Sequence, residues 1–214
     1  MTLPAHDIIF KRRLARYERN FLFYYGNRGL SRYEQWYRLE GLISQTWQSW
    51  CQFCRSIVIE SCLGTEALGG RAIARANQSW IDEQRVIYEA GCAVKGQPPR
   101  AGARIINSWA EITWGDIDKL VIVVGALNPT NRTELLNGFG GGLSGPKHLQ
   151  IVRNASAHIN RDNATSINRL AAYYYGNPIK HPTDLATRSH ILTKDPAFIS
   201  WISDMKLMSD VCVQ

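Results

Sequence analysis

The 214-residue sequence lacks the features of a secreted or membrane-bound protein. No apolar run approaches the roughly 18 residues that a membrane-spanning helix requires. The first twenty residues, MTLPAHDIIFKRRLARYERN, carry charge where a signal peptide would have an apolar core. The five cysteines are odd in number and scattered, unlike a disulfide framework. We therefore expect a cytoplasmic protein with no membrane contact, whose cysteines are reduced thiols.

Motifs for a bound metal or nucleotide are also missing. Cys51 and Cys54 form a C-x-x-C pair, but no second Cys or His pair completes the roughly four ligands of a zinc site. The sequence has neither the G-x-x-x-x-G-K-[ST] of a P-loop nor the G-x-S-x-G of a hydrolase. A G-x-G-x-x-G match at Gly140, Gly142 and Gly145 follows a segment that would make a poor strand. We expect no metal or cofactor, and interpret this glycine-rich stretch as a loop between two helices.

The composition gives a basic chain with enough apolar residues for one domain, 1–214. Lys and Arg number 25 against 18 Asp and Glu, a formal net charge of +7, and 45% of the residues are hydrophobic. A basic protein attracts polyanions, so nucleic acid is the first partner to consider. An excess of this size also fits a protein whose charge only aids solubility.

Apolar periodicity predicts a mostly helical chain. The clearest element is a helix of about thirty residues from Ser31 to Cys62, with Ser31 and Glu34 as a capping box. Its apolar stripe comprises Trp36, Leu39, Ile43, Trp47, Trp50, Cys54, Ile57 and Ser61. Other helices are expected from about His6 to Tyr25, over 66–82 with a break at Gly69 and Gly70, from Thr113 through IDKLVIVVGAL, over NATSINRLAAYYYGN and over DPAFISWISDMKLMSDV. The run IDKLVIVVGAL could also be a buried strand, 83–110 contains a turn-rich loop, and a small hairpin within 83–140 remains open.

The stretch HLQIVRNASAHINRDNA, residues 148–164, carries the candidate functional residues. On a helix, one stripe of it can face the core, namely Leu149, Val152, Ser156 and Ile159. Arg153, Asn154 and His158 would then share the opposite face, with Asn154 and His158 one turn apart. The same geometry also describes an ordinary solvated helix face.

The string R-N-x-x-x-H, expected near the start of a helix in a small helical domain, resembles the R-x4-6-H motif of HEPN-domain ribonucleases. The polar Asn154 directly after Arg153 matches the usual form of that motif, and the long early helix fits the family outline. The resemblance implies an all-α, antiparallel helical bundle of HEPN type with irregular loops between the central helices.

The same resemblance implies a metal-independent endoribonuclease that cleaves single-stranded RNA by 2′-OH attack and leaves 2′,3′-cyclic phosphate ends. His158 would transfer protons, Arg153 would bind the phosphate, and Asn154 would orient the histidine or hold a phosphate oxygen. Two motif helices would face each other in a homodimer. RNA-binding residues would be Arg161, Arg169, Arg12 and Arg16. Family members of this kind often act as toxins or in antiviral defence, under the control of an antitoxin or regulatory protein.

Two other interpretations fit the sequence. The chain could be a catalytically inactive HEPN-like module that binds RNA, nucleotide or a partner protein through the same face. It could also be an unrelated helical regulatory or DNA-binding protein in which the motif occurs by chance. A positively charged cleft in which Arg153 and His158 meet a second copy would favour the nuclease.

Overall fold

The computed structural model describes residues 1–26, 29–105, 111–158 and 160–214. Helices dominate these residues, which confirms the all-α class. The α-helices of this part of the chain are α1 (Leu3–Gly26), α2 (Arg32–Leu63), α3 (Glu83–Lys95), α4 (Ile117–Leu127), α5 (Arg132–Gly140), α6 (Gly145–Ala157), α7 (Arg161–Ala171) and α8 (Ala197–Cys212). The strands are β1 (Thr65–Glu66), β2 (Ala72–Ile73), β3 (Tyr174–Tyr175) and β4 (Ser189–His190), paired antiparallel as β1–β2 and β3–β4. Ile159, expected in the core stripe of the motif helix, and 106–110, at the end of the expected loop segment, lie outside the described residues.

The capping box and apolar stripe of α2 are confirmed. The Ser31 N–H donates to Glu34 Oε2 at 2.9 Å, and the Glu34 N–H donates to Ser31 Oγ at 3.3 Å. Both contacts satisfy polar groups at the start of the helix, where intrahelical partners are missing. Every residue of the stripe is buried except the half-buried Trp36.

The chain divides into two compact units. Unit 1 comprises Met1–Phe10, Cys51–Leu143 and Leu207–Gln214; unit 2 comprises Lys11–Trp50 and Ser144–Lys206. Three of the four boundaries fall within α1, α2 and α8, and the fourth falls between α5 and α6. The expectation of one domain over 1–214 therefore stays a prediction. Within the described residues, no helix combines the length and apolar character needed to cross a membrane.

Unit 1 contains α3, α4 and α5, with α4 packed against the other two helices. IDKLVIVVGAL is the helix α4, as expected, but its N-terminal cap is Asp116 rather than Thr113. The Asp116 carboxylate accepts the Lys119 N–H at 3.3 Å. Leu120, Val123 and Val124 are fully buried, which explains the β-branched composition of this helix.

One sequence expectation for unit 1 was wrong. The helix expected over 66–82 is instead the β1–β2 hairpin, whose turn contains Gly69 and Gly70 at φ values of 72° and 79°. These left-handed conformations favour glycine and cannot continue an α-helix. The turn-rich loop expected within 83–110 is confirmed over 96–105. It follows α3, a helix that sequence reasoning did not predict and that Asp82 caps by accepting the Arg85 N–H at 2.9 Å. In the described part of 83–140, the structure has no strand.

Unit 2 contains the motif helix α6 and the elements packed against it. In it, α6 packs against α7 and against the 3₁₀ turn Pro182–Thr187, which precedes β4. Fully buried side chains of its core include Leu14, Phe21, Ile43, Trp50, Leu149, Phe198 and Trp201. The loop expected in the glycine-rich stretch is confirmed only over 141–144, because α5 reaches Gly140 and α6 begins at Gly145.

Candidate functional site

The motif lies at the C-terminal end of α6, which corrects the expectation of a position near a helix start. The helix ends at Ala157, and His158 has extended backbone angles of φ −137° and ψ 97°. The His158 N–H still donates to the carbonyl of Asn154 at 2.9 Å. We expected Arg153, Asn154 and His158 to share one helix face. Because His158 follows the last helical residue, that expectation is wrong for His158.

Arg153 and Asn154 form a directly bonded pair on α6. The Arg153 Nη1 donates to Asn154 Oδ1 at 3.1 Å, and both residues are half-buried. His158 is exposed to solvent. On the core side, Val152 is fully buried as expected, whereas Ser156 is only half-buried and donates its hydroxyl to the Val152 carbonyl at 3.0 Å. The motif therefore offers a guanidinium, a carboxamide and an imidazole within about one turn.

Asn163 fixes the backbone of the motif from the next helix. Its Nδ2 donates to the His158 carbonyl at 2.7 Å and to the Asn154 carbonyl at 3.4 Å. Its own N–H donates to Oδ1 of Asn160, the N-terminal cap of α7, at 2.8 Å. Sequence reasoning missed both asparagines, although an Asn that directly precedes a helical segment, as Asn160 does, is a capping signal. The α6–α7 turn thus holds His158 by its main chain and leaves its ring exposed.

A pocket of about 310 Å³ adjoins this turn. It is lined by side chains of both helices and of the loop before the 3₁₀ turn, including Ala155, Asn160, Asn163, Ile167, Lys180 and His181. Apolar walls with a few carboxamides are typical of sites for small planar ligands. The pocket places such walls next to the motif within unit 2.

The four arginines expected to bind RNA are all exposed, but they are not gathered at the motif. Arg161 opens α7, three residues after His158, and Arg169 lies in the last turn of α7. Arg12 and Arg16 lie on α1, where the Arg16 guanidinium is 5.4 Å from the Tyr17 ring centroid. Within the described ranges, no hydrogen bond or ion pair joins Arg12 or Arg16 to the motif.

The N-terminal end of α6 holds a second polar cluster that sequence reasoning did not identify. His148 Nδ1 lies 2.7 Å from the Tyr174 hydroxyl, which also accepts the Trp201 Nε1–H at 2.7 Å. Burial, with a smaller contribution from the charge of His190, lowers the pKa of His148 to about 4. Burial raises the pKa of Tyr174 to about 12. Both side chains are therefore neutral near pH 7.

Asp204 and His190 complete this cluster. The Gly145 N–H donates to Asp204 Oδ2 at 2.8 Å at the start of α6. Burial raises the pKa of Asp204, partly offset by backbone N–H groups and by His190. The His190 ring centroid lies 5.4 Å from that of Tyr174. Hydrogen bonds among His148, Tyr174 and Trp201 stabilise the fold and leave few groups there for a ligand.

In the part of the chain that the structure describes, no group of three His, Cys, Asp or Glu side chains is placed to hold a metal ion. The C-x-x-C pair lies in α2, as expected, with Cys54 buried and Cys51 half-buried. Burial raises the pKa of the Cys54 thiol, so it is protonated at neutral pH. This environment supports the interpretation of Cys54 as a core residue.

No family model matches the chain, and no match is found among curated proteins or solved structures. The resemblance to HEPN-domain ribonucleases accordingly stays a prediction. It rests on the motif residues at the end of α6 and on the helical class of the fold.

Proposed function

We propose that this protein is a metal-independent endoribonuclease that cleaves single-stranded RNA through the ribose 2′-OH. The observation that carries the proposal is the grouping at the end of α6. There, an exposed imidazole follows one turn after an arginine and an asparagine that are joined by a 3.1 Å hydrogen bond.

Each motif residue has a role that its chemistry permits. His158 would exchange a proton with the 2′-OH or with the leaving 5′-oxygen, since imidazole is the side chain best suited to proton transfer near neutral pH. Arg153 has five N–H donors and uses one on Asn154, so its planar fork can bind the oxygens of the developing phosphorane. Asn154 would hold the guanidinium in place. The products would carry 2′,3′-cyclic phosphate and 5′-hydroxyl ends.

The reaction favours a homodimer. Cyclisation removes a proton from the 2′-OH and delivers one to the departing 5′-oxygen, which is best served by two titrating groups. The motif supplies one histidine per chain, so two copies with facing motifs would supply both. Arg161, at the start of α7, and Arg169, in its last turn, are both exposed and would guide the RNA backbone to the cleft. A role as a toxin or antiviral effector, restrained by an antitoxin or regulatory protein, follows from the same resemblance.

Cleavage of a mixed single-stranded RNA pool in EDTA tests this proposal. We expect the wild type to cleave and leave cyclic phosphate ends, and His158→Ala to lose cleavage while keeping its helical circular dichroism spectrum. His6→Ala, on α1 in unit 1, is the matched histidine control and should cleave like the wild type. Equal cleavage by wild type and His158→Ala would show that the motif is only a helix end.

One observation favours a second candidate, a catalytically inactive module that binds RNA, nucleotide or a partner protein through this face. Among the described residues, no hydrogen bond joins the His158 ring to Arg153 or Asn154, and His158 lies beyond the helix end. Such a module would bind an RNA strand with an affinity that falls in Arg153→Gln, yet cleave none. Binding without cleavage by a purified dimer would therefore replace the nuclease with this candidate.

A further inference from the structure

A polar cavity of about 610 Å³ lies within unit 2, away from the residues named in the proposed reaction. It opens between the end of α1, the start of α2, the β3–β4 hairpin and the 3₁₀ turn Pro182–Thr187. Its lining includes Tyr25, Arg32, Gln35, Tyr175, Arg188 and Ser189. The volume is in the range of sites for small organic ligands.

Arg188 brings one positive charge to this cavity with part of its donor capacity unused. Its Nη2 donates to the Asn177 carbonyl, which fixes the guanidinium against the loop after β3. Its Nε is buried and has no hydrogen-bond partner among the described residues. A buried donor without a partner costs free energy, and an anionic ligand oxygen would remove that cost.

Arg32 brings a second positive charge from the first turn of α2. Its Nη2 lies 3.7 Å from Asp184 Oδ2, and its guanidinium lies 5.1 Å from the Trp36 ring centroid. Asp184 already accepts bonds from Trp36 Nε1 at 2.6 Å and from the N–H groups of Lys180 and His181 at 2.8 and 3.0 Å. Asp184 also lines the cavity, and its single carboxylate offsets one of the two arginines, so one positive charge remains to favour an anion.

Two tyrosines add an aromatic surface. Tyr25 and Tyr175 are 50% and 59% exposed, and both line the cavity. Each ring has one face occupied: Phe21 stacks on Tyr25 at 5.6 Å, and Lys194 Nζ lies 5.1 Å from the Tyr175 centroid. The second face of each ring is where a planar base can stack, a contact that tolerates any base.

We infer that this cavity binds one nucleotide unit, with the phosphate between Arg32 and Arg188 and the base on Tyr25 or Tyr175. The unit is either a free mononucleotide or one nucleotide of an RNA strand, since both present the same phosphate and base. The inference goes beyond the proposed ribonuclease, because it needs no cleavage and uses none of the motif residues.

Gly176 provides a test that leaves every charge in place. A Cβ added at this position would lie 2.7 Å from Cγ of Arg188, so the Arg188 side chain must move. Gly176→Ala should therefore weaken nucleotide binding roughly tenfold, as should Arg188→Gln and Arg32→Gln, through lost charge-assisted hydrogen bonds. Tyr175→Leu, at an exposed site, keeps the fold and should also weaken binding. Arg132→Gln, an exposed arginine on α5 in unit 1, is the charge-matched control and should change affinity less than about twofold.

The experiment measures two affinities. Calorimetry gives the affinity for adenosine 5′-monophosphate, and anisotropy gives the affinity for a fluorescent ten-nucleotide uridine RNA. All variants carry His158→Ala, so the strand stays intact whether or not the protein is a nuclease. Weakening of either probe by the cavity variants but not by Arg132→Gln supports the site. Binding of the mononucleotide identifies a free nucleotide as sufficient, and binding of the strand alone identifies RNA. The inference is wrong if neither probe binds at millimolar concentration, or if Arg132→Gln weakens binding as much as Arg188→Gln.

Discussion

The two ends of α6 each carry one histidine, and the two histidines have opposite environments. His148, in the first turn, is bonded to Tyr174, and burial lowers its pKa to about 4. His158, just after the last turn, is exposed, and among the described residues it is held only through its backbone. The first end stabilises the fold of unit 2, whereas the second presents side chains to solvent. His158, whose main chain is fixed and whose ring is exposed, is therefore the better candidate for proton transfer.

Among variants that test this comparison, Gly145→Ala at the N-terminal end of α6 should have the largest effect on stability. A Cβ there would lie 2.7 Å from the Trp201 carbonyl oxygen and 2.8 Å from Cβ of Asp204. Backbone and packed side chains cannot move away cheaply, so the free energy of unfolding should fall by about 3 kcal/mol. Gly41→Ala in α2, where a Cβ meets nothing within 4 Å, is the control and should stabilise by roughly 0.5–1 kcal/mol. Urea unfolding measures both, and equal stability of the two variants would contradict the tight packing at this end of α6.

The next effect is a pH dependence carried by His148. Its folded pKa of about 4 lies below the ordinary 6.5, so between these values the unfolded chain takes up a proton that the folded protein does not. The stabilisation is complete above about pH 6.5 and is lost as the pH falls toward 4. Between pH 7 and about pH 4.5, the wild type should lose about 2 kcal/mol more stability than His148→Gln.

Urea unfolding at several pH values measures this difference, with Asp204 and His190 present in both proteins. Parallel curves for wild type and His148→Gln would show that the ring is not desolvated as described.

The sequence predicted the elements whose signals are local. The capping box at Ser31 and the stripe of α2 depend on neighbouring residues only, and both are confirmed. The hairpin over 65–73 was missed because its glycines were interpreted as a break in a helix rather than as left-handed turn residues. The start of α3 at Asp82 was missed because the turn-rich sequence that follows dominated the interpretation of that segment.

The candidate site was only partly predictable for a related reason. The pairing of Arg153 with Asn154 is local, and the core position of Val152 follows from periodicity. The end of α6 before His158 depends on Asn160, which caps the next helix, and on Asn163, whose side chain bonds back to the motif. The cluster of Tyr174, Trp201 and His148 joins residues 26 and 27 positions apart, which no single-sequence pattern reports.

A smaller effect separates helix stability from motif positioning at the second end. Asn163→Ala removes the bonds to the His158 and Asn154 carbonyls and should cost about 1 kcal/mol in unfolding free energy. If the ribonuclease proposal is right, its RNA cleavage rate should fall roughly tenfold, because the His158 backbone is no longer fixed. Asn160→Ala removes only the cap of α7 and should cost a similar 1 kcal/mol or so. The RNA cleavage rate of Asn160→Ala should stay within about threefold of wild type. Equal losses of cleavage in Asn160→Ala and Asn163→Ala would assign Asn163 a purely structural role.

The most direct test of the difference between the two histidines is to measure the unfolding free energy and the RNA cleavage rate of His158→Ala in EDTA. Because His158 is exposed, its removal should change stability by less than about 0.5 kcal/mol. The account predicts that His158→Ala, which changes stability less than the other variants, loses cleavage completely. Cleavage at the wild-type rate by a His158→Ala protein of unchanged stability would contradict it.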